Sequence, residues 1–205
     1  MLETLAKGGP VMIPLGLCSV VALAIFLERG WYYWRTRSDA DVVIAALRDP
    51  LTHGNYLEAL QIAKQAPGPF AGLLSAGIAY ADKGRDQMRA HLELAGRAEI
   101  QQMERSLPVL GTITTISPLL GLLGTVFGII RSFRVLSALQ GIEGPSALSA
   151  GIAEALITTA VGLTIAIPSA AVFDWFSSIV DRRVQEMNRA GNLVMDIVSE
   201  ARGEA

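Results

Sequence analysis

Twenty-four consecutive residues, Leu107 to Ile130 (LPVLGTITTISPLLGLLGTVFGII), carry no charge. A run of that length is enough to cross the hydrocarbon core of a bilayer, about 30 Å thick, with some tilt. Inside a bilayer every backbone N–H and C=O must be satisfied by the chain itself, which leaves helices or closed barrels. Two further stretches belong to the same class. Val11 to Leu27 is a 17-residue charge-free run followed by Trp31, Tyr32, Tyr33 and Trp34, aromatic residues of the kind that sit at a membrane interface. Ala155 to Phe173 is bounded by Glu154 and Asp174. The expectation is an all-α, polytopic membrane protein with three transmembrane helices, long helices extending into a cytoplasmic helical domain.

Composition agrees. With 51% hydrophobic residues, 18% charged residues and mean hydropathy +0.41, the chain is too apolar for an ordinary soluble domain. A net charge of −2 offers no basic surplus for phosphates, so nucleic acid is not an expected partner. One cysteine, Cys18, forms no intrachain disulfide, and His53 and His91 lack ligand-like spacing, so neither metal nor cofactor is expected. No G-x-S-x-G, P-loop or dinucleotide fingerprint occurs, and no enzyme is expected.

The chain divides by character. Residues 1–34 hold the N-terminus and first span; the start MLETLAKGGP, with Lys7 beside Glu3 and no small-residue cleavage site after the apolar run, argues against a removed signal. Residues 35–106 turn polar and read as a cytoplasmic helical domain. There Ser38 is expected to cap a helix through Leu47 that Asp49-Pro50 stops, and Asn55 to Ala66 forms a second with apolar residues at Leu57, Leu60 and Ile62/Ala63. Phe70 to Ala81 forms a third, and Asp86 to Ser106 a helix running towards the next span. Residues 107–134 are the second span and 135–148 a short loop marked by Gly141, Gly144 and Pro145, which makes the neighbouring spans antiparallel. Residues 149–178 are the third span, kinked or weakened at Pro168, and 179–205 a C-terminal helix. Basic residues number nine between Arg35 and Arg105 and four in the tail, which places domain and tail in the cytoplasm and the N-terminus outside.

The stretch SAGIAEALITTAVGLTIAIPS, Ser149 to Ser169, is the candidate site. Its carboxylate, Glu154, adjoins an apolar run, and ionisable groups at membrane depth are costly and mark ion pathways by default. A carboxyl removed from water resists ionisation and so exchanges protons more readily near neutrality. Threonine hydroxyls donate and accept, and can hold water or a second carboxyl between apolar walls. On a helical wheel Thr158 lies about 40° from Glu154 and Thr159 about 140°. A bland alternative makes Glu154 a helix N-terminal carboxylate favoured by the dipole.

On the second span Thr114, Pro118, Gly121, Thr125, Gly128 and Ser132 fall within about 40° of one line. Two readings stay open: close helix packing, which small residues allow, or a water-exposed pore face. Ala155, Thr159, Gly162, Ala166 and Ala170 make a second such face, one that could line a pore. In the tail Val180, Val184, Met187, Gly191, Val194 and Val198 repeat as an a/d heptad seam. It serves either subunit contact around a ring, the favoured reading, or packing on the protein's own soluble helices.

LGTITTISPLLGLLGTVFGII and GIAEALITTAVGLTIAIPSA resemble the second and third spans of the ExbB/TolQ/MotA proton-channel family, closest to the ExbB and TolQ branch, and AKGGPVMIPLGLCSVVALAIFLER resembles the branch's first span. The resemblance implies an inner-membrane motor subunit, a homo-oligomer of five around an ExbD-like or TolR-like single-span dimer that brings a membrane aspartate. Proton flow would energise a TonB-like or TolA-like protein and so the outer membrane. Carried over by motif, the family's membrane glutamate falls on Glu154, its third-span threonine on Thr159 and its second-span threonine on Thr125, with Thr158 where alanine is frequent. A non-conducting membrane scaffold is the alternative, though it gives no reason for Glu154 beside paired threonines.

Overall fold

The computed structural model describes residues 9–37, 39–138 and 144–203. Among the described residues, seven α-helices follow one another: α1 Met12–Arg35, α2 Ala40–Thr52, α3 Tyr56–Gln65, α4 Phe70–Ile78, α5 Arg85–Glu104, α6 Leu107–Ala138 and α7 Gly144–Arg202, with a 3-10 turn Ala81–Lys83 before α5. Three helices among the described residues are long and apolar enough to cross a membrane. Their most apolar windows are only 17% to 28% buried, so the hydrocarbon surface of the spans faces outward, as a bilayer requires and water would penalise. The chain divides into two units, Met1–Glu28 with Ser106–Trp175, and Arg29–Arg105 with Phe176–Ala205.

In the first unit α6 and α7 lie antiparallel. Partner numbers fall on α7 as they rise on α6: Gly111 meets Phe173, Ser117 meets Gly162, Gly121 meets Thr159, Gly128 meets Ala155, and Ser132 meets Gly151. Gly144 and Pro145, expected in the loop, instead open α7. Proline suits a helix start because its missing N–H has no intrahelical partner there. Gly141, also expected to turn the chain, lies outside the described residues, as does Ser38. Pro168 stays inside α7. On α1, Leu15 is fully buried while Ile13, Leu17, Val20, Leu23 and Leu27 are exposed, a stripe at helical spacing suited to lipid. A groove of about 420 Å³, lined among others by Ala22, Phe26, Leu110, Ile165 and Val172, separates α1 from the hairpin.

The second unit is a small helical core around Leu47, Leu51, Phe70, Leu74, Met88, Met103, Phe176 and Val194, all at most 1% exposed. Asp39 caps α2, its side chain accepting from the Asp41 amide. α2 runs past Pro50 to Thr52, because a proline in the last turn forfeits one ladder bond and leaves the rest intact. Asn55 caps α3, accepting from the Glu58 amide while its own amide donates to the Glu58 carboxylate. The inward residues of α3 are Ala59 and Ala63, while Leu57 is 78% exposed. Two alanines suffice because α3 is short and closely approached. α4 stops at Ile78 rather than Ala81.

The helix expected to run on into the second span does so from Arg85 to Arg134, with a two-residue turn at Arg105 and Ser106 where Arg105 keeps helical dihedrals. Pro108 has no N–H for the Glu104 carbonyl, which removes the ladder bond that would bridge the junction. The last carbonyls of α5 are satisfied from α1 instead. Arg29 Nη1 donates to Gln102 O (2.9 Å) and Met103 O (3.2 Å), and the Tyr33 hydroxyl donates to Met103 O (2.9 Å). From α7, Arg183 donates to Tyr33 O (2.8 Å) and to Thr36 Oγ1 (2.7 Å).

Candidate ion-pathway site

The α6/α7 seam is built from small residues. A Cβ on Gly162 would lie 2.6 Å from Ser117 O, and one on Gly121 would lie 3.0 Å from Thr159 Cα, so backbone meets backbone where glycine stands. The buried line on α6 runs through Ser117, Gly121, Gly124, Gly128 and Ser132, and on α7 through Gly151, Ala155, Thr158, Gly162, Ala166 and Ser169. The face Thr114–Pro118–Gly121–Thr125–Gly128 therefore splits. Gly121 and Gly128 pack in the seam, while Thr114, Pro118 and Thr125 sit half-buried beside it. Ala155, Gly162 and Ala166, grouped above as a possible pore wall, are buried against α6 within the chain, because side chains this small let the two backbones close on each other.

Hydroxyls at this site serve carbonyls. Thr158, fully buried, donates to Glu154 O (2.9 Å), and Thr159 donates across the seam to Gly121 O (3.0 Å). Thr125 donates to Leu122 O (2.6 Å) and Thr114 to Gly111 O (2.7 Å) on their own helix. Such bonds are those expected of threonine in an apolar medium, where a hydroxyl unsatisfied by water turns to its own backbone. Ser117 Oγ is the exception, fully buried in the seam without a hydrogen-bond partner.

Glu154 lies in the third turn of α7, which begins at Gly144, so the helix dipole does not hold it as a first-turn carboxylate would be held. Both its oxygens lie 3.1 Å from Arg131 Nη1 at the end of the α6 charge-free run. The Glu154 side chain is 18% exposed and that of Arg131 66%. Gly9, with φ +70°, covers the carboxylate: a Cβ there would collide with Glu154 Oε1. Arg131 and Gly9 were not expected at the site. The signal for Arg131 was in the sequence, since it ends one apolar run and Glu154 begins the next, and an antiparallel pair brings those two ends level.

In the tail, most of the heptad residues are buried within the single chain. Met187, Val194 and Val198 are 2%, 0% and 4% exposed within the single chain, and Val184 is half-buried in a groove of the same unit with Leu92 and Ile100. The heptad residues pack on the chain's own helices, tied by Arg85 to Asp196 (2.9 Å) and Ser199 (2.9 Å), by Arg189 to Asp41 (3.2 Å) and by Arg202 to Ala81 O (2.8 Å).

These features define a polytopic α-helical membrane protein with one carboxylate held in a hairpin of spans. A profile of the MotA/TolQ/ExbB proton channel family matches residues 65–189, and the chain belongs to that family. An ExbB-like biopolymer transport protein of Synechocystis sp. is 35% identical over 195 residues, 94% of this chain and 76% of that protein. ExbB of Salmonella typhimurium, a biopolymer transport protein, is 31% identical over 177 residues, 82% of this chain and 71% of its own length. TolQ of the Tol-Pal system of Pseudomonas aeruginosa is 38% identical over 115 residues, 56% of this chain and 45% of TolQ.

Proposed function

We propose that the chain is the proton-conducting subunit of an inner-membrane motor of the ExbB or TolQ kind, without enzymatic activity of its own. It works as a homo-oligomer, a pentamer by family resemblance, around an ExbD-like or TolR-like single-span partner that supplies a second membrane carboxylate. Proton flow energises a TonB-like or TolA-like protein, with the N-terminus periplasmic and the C-terminus cytoplasmic. The observation that carries this reading is Glu154, a carboxylate 18% exposed beside the apolar run of α7 and one turn from Thr158. Charge at such a place is expensive unless it is used. Thr159 and Thr125 complete the pathway in this reading, and Gly121, Gly128 and Gly162 hold the hairpin closed enough to keep it dry.

The test is proton uptake by proteoliposomes containing the chain and its single-span partner. Glu154→Ala and Thr159→Val should each abolish partner-dependent uptake, and wild-type uptake in either would sink the assignment. Glu154→Gln separates this reading from a non-conducting scaffold, which should keep its full function with the neutral residue.

A further inference from the structure

We propose that Arg131 is a built-in counter-ion for Glu154, a latch that keeps the carboxylate occupied until a partner's acid draws the guanidinium away. The inference rests on the proton-pathway reading above and adds a regulatory step to it.

Three elements meet at the pair. α6 supplies Arg131, α7 supplies Glu154, and the segment before α1 supplies Gly9. Arg134, one turn on, is the other cation at this end of α6. One nitrogen, Nη1, reaches both carboxylate oxygens at 3.1 Å. This is not the two-nitrogen fork that makes arginine–carboxylate pairs strongest. The two partners are also unequally fixed. Glu154 is mostly enclosed beneath Gly9, while two thirds of Arg131 is exposed on a long flexible stem. If the pair opens, the arginine moves and the carboxylate stays.

The chemistry sets the order of events. A carboxylate facing a guanidinium is stabilised as the anion and is a poor proton acceptor. A second carboxylate brought alongside by a single-span partner competes for the same cation. Once Arg131 turns to it, Glu154 is left without its counter-ion. Proton loading is then contingent on the partner, and the subunit alone does not leak.

Carbodiimides add to the protonated carboxyl, and mass spectrometry of the purified chain in liposomes reads labelling at Glu154 directly, without any conduction. The wild-type chain alone should label weakly at pH 7, Arg131→Gln at least about fivefold more, and Arg131→Lys close to wild type. A synthetic single-span peptide carrying one membrane aspartate should raise wild-type labelling, and the same peptide with asparagine should not. Gly9→Ala, which pushes on the carboxylate from the other side, should raise labelling with Arg131 intact and covers the case in which Arg131→Gln fails to fold. Equal labelling of wild type, Arg131→Gln and Gly9→Ala overturns the latch. Should the latch hold but the proton-pathway reading fail, the labelling differences persist while uptake is insensitive to Glu154→Ala. Should the reverse be true, uptake needs Glu154 while labelling ignores Arg131.

Discussion

At the scale of single residues, glycine decides how closely the spans approach. Gly162 stands opposite the Ser117 carbonyl, and a side chain there would press on backbone, which cannot rotate aside. Gly162→Leu should separate α6 from α7 and destabilise the hairpin by about 1–3 kcal/mol, whereas Gly16→Ala, with open space around its Cβ, should be neutral or slightly stabilising. Denaturant titration of the two variants in detergent checks the contrast. Single-residue chemistry was unevenly legible. Glu154 and the threonines stood out because polar groups in an apolar run are rare. Which hydroxyl turned to which carbonyl did not, since Thr159 finds Gly121 across the seam and that bond exists only once the two helices have met.

At the scale of elements, the three spans could be read from length and the absence of charge, whereas the inward face of each could not. A span is apolar all round, so no hydrophobic stripe marks its packed side; only the small residues do, and Thr114, Pro118 and Thr125 sit one position off the true line. In the soluble helices a different ambiguity acts: Leu57 looks buried by type, yet Ala59 and Ala63 are the residues that allow close contact. On α5, Glu99 is partly enclosed over Gly72, and burial raises its pKa from the ordinary glutamate value. A carboxyl whose folded pKa is raised binds its proton more tightly folded than unfolded. Its contribution is therefore most favourable below the ordinary glutamate range and is lost as pH rises through the folded value. Glu99→Gln should accordingly match wild type in acid and be the more stable protein near neutrality, as thermal melts across that pH interval would register.

At the scale of the whole molecule, the heptad of the tail is the instructive case. A period of 4 and 3 says that one face of a helix is buried and is silent on whose surface buries it. Here Val194 and Met187 fill the core of their own unit. Val194→Asn should lower the stability of that unit by about 2–4 kcal/mol, the cost of a lost apolar contact and an unpaired amide. Native mass spectrometry and melting measured together distinguish the outcomes: a variant that melts as wild type yet loses its neighbours would make the seam an interface after all. The antiparallel register of α6 and α7 reaches further than its packing. Because the hairpin is locked by small residues along the seam, the number of residues connecting the two helices hardly matters to the Arg131–Glu154 pair, while helical phase matters absolutely. One residue inserted between Gly128 and Arg131 turns the guanidinium about 100° around its helix and disarms the pair, whereas several added to the connector leave it aligned. The hairpin behaves as a vernier whose reading is set by angle and not by length.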